Sequence, residues 1–123
     1  MKIYTSYFGN INRLPKDLVK IAVCGKAPEW YDGAKYRELA PKKGFFQKWL
    51  GRNRDSSYYR ERFNEEVLSK LDAAKVLRDL QDLSGGKDCV LLCYEGPGMF
   101  CHRHLIKYWL KQNLDIEVEE WAE

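Results

Sequence analysis

The segment Asp88–Tyr94, DCVLLCY, constrains the chain more than any other. It holds five consecutive uncharged residues, Cys89 to Cys93, between Gly85-Gly86 and Gly96-Pro97-Gly98. The run is too short for a buried helix, and the glycines and proline mark turns at both ends, so it predicts an internal strand. Leu18–Cys24 (LVKIAVC), stopped by Gly25, has the same character and suits a strand covered on both faces, as strands of parallel sheets are. Lys2–Phe8 is β-branched and aromatic and stops at Gly9-Asn10, which predicts a third strand. Asp115–Glu119 alternates polar and apolar as an exposed edge strand does.

Helical signals fall between these runs. Ser56 or Ser57 can cap a helix reaching about Lys70, with Tyr59, Phe63 and Val67 in one row. Asp72 can cap a second, whose Ala73, Val76, Leu77, Leu80 and Leu83 form an apolar stripe and whose end is marked by Ser84-Gly85-Gly86. A third begins at Cys101 or His102 and runs to Gln112, with Leu105, Ile106, Trp109 and Leu110 inward and Asn113 as its cap. Pro15–Leu18 predicts a single helical turn and Phe45–Leu50 a short helix. Strand, helix and strand from Asp88 to Val118 imply a parallel pair with a right-handed crossover. The expected fold is therefore α/β and three-layered: a small, mostly parallel sheet of about four strands with helices on both faces. At 123 residues it forms one domain, residues 1–123.

Charge is distributed unevenly. Residues 26–62 carry ten basic and five acidic side chains, whereas residues 113–123 carry five acidic and no basic ones. Within 26–62 the basic residues interleave with Trp30, Tyr31, Tyr36, Phe45, Phe46, Trp49, Tyr58 and Tyr59, the combination that tracks phosphates and stacks bases. With no recognisable nucleic-acid module, the plainer reading is a solvated basic surface, and a nucleic-acid partner has only this support. No apolar run approaches the ~20 residues of a membrane span, and Met1-Lys2-Ile3-Tyr4 does not open a signal peptide. The expected location is the cytoplasm, away from membranes, with all four cysteines as thiols.

The stretch VLLCYEGPGMFCHRHLIKYWL places Cys, an aromatic residue and Glu at the end of an apolar strand, then a Gly/Pro loop, then Cys-His-Arg opening a helix. This pattern resembles the signature of the domain-of-unknown-function 488 family, and KIYTSYFGN at the start resembles that family's first strand and turn. The resemblance covers most of the chain, is specific over residues 89–110 and weak over 25–55. It implies an α/β fold and directs attention to Cys93, Glu95, Cys101, His102 and Arg103; it implies no settled activity.

In open α/β sheets ligands bind at the carboxyl ends of strands beside helix N-termini, the position of residues 95–104. The helix start carries no Ser, Thr, Asp or Asn cap, so its free N–H groups and Arg103 can receive an anion such as phosphate or carboxylate. The bland alternative pairs Arg103 with Glu95 or an acidic residue of the tail. Glu95, leaving a buried strand, is the candidate general acid–base group. Cys101, at a helix start, is a candidate nucleophile with His102 or His104. Against it, consecutive helical side chains diverge by about 100°. Tyr4, Ser6 and Tyr7 line the same crevice if their strand neighbours Asp88–Tyr94. Cys93 stands ten residues before Arg103, too far for a Cys-x5-Arg cradle. Cys93, Cys101, His102 and His104 lack the paired spacing of strong zinc sites, so no metal is assigned and the cofactor is unknown. The leading functional reading is an enzyme acting on a nucleotide, nucleobase or nucleic-acid-linked substrate through an anion-binding crevice at Glu95–Arg103, with an anionic small molecule or nucleotide as its partner. A non-catalytic binding module and a thiol- or metal-dependent regulator are the alternatives.

Overall fold

In the computed structural model, which describes residues 1–42, 44–94 and 101–121, the apolar run is strand β4, Cys89–Cys93, buried at every position. The other strands are β1 (Ile3–Tyr7), β2 (Val19–Ala22), β3 (Ala34–Lys35) and β5 (Val118–Glu120). They form one sheet in the order β3-β2-β4-β1-β5, and every pairing is parallel. β4 is the central strand, with Ile3 and Val19 both opposite Cys89 and Tyr7 opposite Cys93. The two-residue β3 is the strand beyond the expected four. β4 and β5 run parallel as expected, but β1 lies between them instead of the two pairing directly.

Successive strand side chains point to opposite faces, and the two cores follow that alternation. Cys89 and Leu91 join Ile3, Ile21 and Val23 on one face; Val90 and Leu92 join Ala22 and Phe8 on the other. Helices α1 (Phe45–Leu50), α2 (Ser56–Glu66), α3 (Ala73–Ser84) and α4 (His102–Leu114) supply the first core with Trp49, Phe63, Leu80 and Ile106 among others. The second core lies under a 3₁₀ helix, Phe8–Arg13, and the loop carrying Tyr31. Leu91 and Leu92 have no exposed surface; truncating either to Ala would cost about 2–5 kcal/mol.

Local chemistry sets the helix ends. Asp72 caps α3 by accepting the Ala74 N–H at 3.0 Å, and Gly85 ends it in the left-handed region at φ 65°, where a side chain is disfavoured. The cap of α2 is Asp55, not Ser56 or Ser57: its backbone is extended and its carboxylate takes the Ser57 N–H at 2.9 Å, so both serines fall inside the helix. α2 ends at Glu66, and a 3₁₀ turn, Leu68–Lys70, completes the predicted span. α4 continues to Leu114 and stops at Asp115 (φ 54°), while Asn113 folds its amide back onto the Trp109 carbonyl. Pro15–Leu18 is a hydrogen-bonded turn. Among the described residues no helix is long and apolar enough to cross a membrane.

Candidate functional site

The site forms where β4 ends and α4 begins. Cys101 is the residue before the helix, with extended dihedrals (φ −151°, ψ 151°) and no side-chain cap hydrogen bond. The sulfurs of Cys93 and Cys101 are in bonding contact as a disulfide, with Cα atoms 7.5 Å apart. The expectation of four thiols is thus corrected: Cys24 and Cys89 are thiols, and Cys93 and Cys101 are joined. It failed because the two residues stand eight apart in the chain, and only the packing of α4 against the end of β4 brings them face to face.

Because Cys101 lies outside the helix, the divergence expected for consecutive helical residues does not operate. Its Sγ lies 3.6 Å from Nδ1 of His102. The other ring nitrogen, Nε2, lies 2.6 Å from the carbonyl oxygen of Val23, at the end of β2. A carbonyl only accepts, so Nε2 carries the proton and donates it, leaving the Nδ1 lone pair toward sulfur. Burial pushes the imidazole pKa down to about 4; the Val23 carbonyl offsets part of this, and the charges of Arg103 and His104 add to it. His102 is therefore neutral near pH 7.

Arg103, also within the first turn, has no exposed surface. Its Nη1 donates to Cys93 Sγ at 3.0 Å, and its Nε and Nη2 donate to the Glu120 carboxylate at 3.1 and 2.8 Å. The guanidinium also lies 5.8 Å from the centre of the Tyr7 ring. Glu120 accepts a further hydrogen bond from Thr5 Oγ1 at 2.6 Å. Burial alone would raise the Glu120 pKa, but the hydrogen bonds from Arg103 and Thr5 outweigh it and hold the carboxyl below its ordinary value. A buried Arg with a planar, two-pronged carboxylate partner is the arrangement in which a guanidinium tolerates loss of water.

The structure brings Cys101, His102 and Arg103 together with Cys93. It does not bring Tyr4 or Ser6 to them. Period-two alternation places these two on the opposite face, where Ser6 Oγ donates to the Trp121 carbonyl at 2.6 Å and the Tyr4 ring meets the edge of Trp121. Their neighbours Thr5 and Tyr7 face Arg103 instead. Glu95 lies outside the described residues. Sequence reasoning placed Tyr7 at the crevice, and the Tyr7 ring does lie against Arg103; it did not single out Glu120, the Val23 carbonyl or Thr5 as part of the site. The acidic tail was a partial signal for Glu120, and counting by twos from Tyr7 was an available signal for Thr5.

A cleft of about 560 Å³ opens at the carboxyl ends of β2 and β4. Cys93 and His102 border it, as do Lys26, Lys42, Tyr94 and Phe45. Tyr94 Oη donates to the Lys26 carbonyl at 2.6 Å, fastening the two strand exits together. The ligating atoms of Cys93, Cys101 and His102 all lie within 4.8 Å of one another. That cluster is assembled by tertiary structure from a spacing that did not point to it.

These features define a class: a parallel α/β domain with sulfur, imidazole and guanidinium gathered where its central strand ends. The chain belongs to the DUF488 family, matching the active DUF488-N3 subclade (DUF488-N3a) over residues 5–114. No curated protein and no solved structure gives a significant match to it.

Proposed function

We propose that this chain is an enzyme that takes an anionic, nucleotide-class substrate in the cleft bordered by Cys93 and His102, with the Cys93–Cys101–His102 cluster as its reactive centre. The supporting observation is the cleft itself. It has the volume of an ordinary small-molecule site and the location at which parallel α/β sheets hold ligands. Two exposed lysines, Lys26 and Lys42, stand at its border with aromatic Tyr94. The lysines would meet phosphate as point charges, and the aromatic face would meet a base. Arg103, committed to Glu120, would act from behind, its Nη1 and the first turn of α4 favouring the thiolate of Cys93 once reduced. A thiolate is the form of cysteine that attacks electrophiles and binds metals. Glu95 keeps the proton-handling role read from the sequence. Membership of the active DUF488-N3 subclade accords with an enzyme.

The test is calorimetric titration of the reduced chain with nucleoside mono-, di- and triphosphates and with pyrophosphate. Binding is expected to weaken with salt and to fall about tenfold, roughly 1.4 kcal/mol, in Lys26→Glu and in Lys42→Glu. Cys93→Ala and Glu95→Gln should keep ligand and lose turnover. If no nucleotide or phosphate binds, or both lysine reversals leave binding unchanged, the reading fails. Turnover unaffected by Cys93→Ala would defeat the reactive-centre assignment, and ligand binding without any turnover in the unmodified chain would leave only a binding module.

A further inference from the structure

We infer that, in its reduced state, this cluster is a binding site for a borderline-soft divalent cation of the zinc class, held by Cys93 Sγ, Cys101 Sγ and His102 Nδ1. The inference rests on the reading of the cluster as the reactive centre and names its cofactor. Three independent features carry it.

The first is the ligand set and its spacing. Two sulfurs and one imidazole lie within 4.8 Å of one another, and all three residues are buried. The Cα atoms of the two cysteines are 7.5 Å apart, wider than the roughly 4.4–6.8 Å that disulfides usually span. An ion between the sulfurs accommodates that separation: two metal–sulfur bonds of about 2.3 Å at a tetrahedral angle hold the sulfurs about 3.8 Å apart.

The second is the set of groups around the ligands. Histidine ligands generally donate their remaining ring N–H to a carbonyl or carboxylate, which fixes the tautomer and aims the lone pair. His102 does this already, with Nε2 on the Val23 carbonyl at 2.6 Å and Nδ1 toward Cys101. Cys93 has a matching donor in Arg103 Nη1 at 3.0 Å. A thiolate can accept that hydrogen bond while ligating.

The third is charge. Two buried thiolates without a counter-ion would be costly. A divalent cation makes the cluster neutral, and the neighbouring Arg103–Glu120 pair is already neutral by itself. Three protein ligands leave a fourth position for water or substrate, the pattern of catalytic rather than structural zinc. The cleft adjoins both Cys93 and His102. Sulfur and imidazole donors select zinc or cobalt over magnesium or calcium.

The experiment uses the full chain reduced by a water-soluble phosphine. The phosphine and one water cleave the Cys93–Cys101 bond, giving two thiols and the phosphine oxide; the metal then displaces the two thiol protons. Anaerobic titration with Co²⁺ should give sulfur-to-cobalt charge-transfer absorption and tetrahedral d–d bands that saturate at one equivalent. Zn²⁺ should bleach them, and Mg²⁺ should have no effect. Cys93→Ser and Cys101→Ser should each remove about half of the charge-transfer intensity and weaken binding by at least about tenfold. Cys89→Ala should leave both unchanged. Circular dichroism checks that each variant is folded. As a second measurement that needs no variant, Zn²⁺ should raise Tm of the reduced wild-type chain, and a chelator should reverse the shift.

Absence of the cobalt bands and of any zinc-dependent Tm shift overturns the inference. So does a signal that survives in a folded Cys93→Ser/Cys101→Ser double variant. Nucleotide titration of the same preparations separates the two claims. Lysine-dependent nucleotide binding without metal defeats the metal site alone, and metal binding without nucleotide binding defeats the substrate assignment alone.

Discussion

His102 hangs from the carbonyl oxygen of Val23, a residue 79 positions earlier, through a 2.6 Å hydrogen bond from Nε2. That one contact ties the first turn of α4 to the exit of β2 and settles which ring nitrogen faces the sulfurs. Burial of the same ring sets a pH dependence, which the Val23 contact only partly offsets. His102 is held neutral in the folded chain with a pKa near 4, against about 6.5 when unfolded. The unfolded chain therefore binds more protons between these values, and folding stability rises with pH across that window. Stability should be complete above about pH 6.5 and lost progressively toward pH 4, by up to roughly 3 kcal/mol. Urea titrations of metal-free protein at intervals from pH 7 to 4 will show this slope. His102→Gln should flatten it, and an unchanged slope in that variant would disprove the assignment.

Glu120 should be among the more costly acidic residues to remove. Its partner Arg103 has no exposed surface, and Glu120→Ala would leave that guanidinium buried without its carboxylate. Breaking a buried pair from one side costs about 3–5 kcal/mol. Chemical denaturation should show a loss of that order, whereas Lys75→Ala, at an exposed ion pair, should show no comparable change. Because the Glu120 carboxyl is held below its ordinary value, its contribution is present above the unfolded pKa and fades as pH falls through the folded one, in more acid solution than the loss due to His102.

Gly33→Ala should destabilise the chain although Gly33 sits in a loop. A Cβ there would meet the buried Tyr31 ring, with Cζ at 2.7 Å. Tyr31 cannot retreat without breaking its Oη contacts to the carbonyls of Ala34 (2.7 Å) and Lys20 (3.0 Å), which hold the loop to the edge of the sheet. Overpacking of this kind costs about 1–3 kcal/mol, readable as a lower Tm. Gly25→Ala, where a Cβ meets nothing within 4 Å, is the control.

Cys89 should resist alkylation by iodoacetamide near neutral pH in both the oxidised and the reduced chain. Burial, with a smaller contribution from the Asp88 charge, pushes its thiol up to about 12, so almost no thiolate is present. Peptide mapping after labelling should find Cys89 unmodified until denaturant is added. Rapid native labelling at this position would show that β4 opens more readily than its burial implies.

Much of the fold was legible because it rests on local chemistry. DCVLLCY announced β4 by being apolar, short and bounded by turn residues. Asp72 and Gly85 announced the limits of α3, since a carboxylate that satisfies free N–H groups and a residue free to adopt positive φ act within a few positions of themselves. The α/β class followed from the order of these signals. The neighbourhood of the site was legible too, because carboxyl ends of strands followed by helix starts are recognisable along the chain.

The composition of the site was not legible, and the reasons are tertiary. Whether Cys101 falls inside the helix or one residue before it decides whether its sulfur diverges from His102 or meets it, and boundary positions depend on packing. Whether Ser6 or Thr5 faces Arg103 depends on which face α4 covers, since a strand offers both by alternation. That Glu120 rather than Glu95 or another acidic residue supports Arg103 depends on β5 pairing with β1, a contact between residues more than a hundred positions apart. The amino-acid sequence by itself determined the elements, their order and the stretch where the site would be. Only the tertiary structure decided which sulfur, imidazole and carboxylate surround Arg103, because such contacts are set by strand order and helix docking, which short-range propensity does not encode.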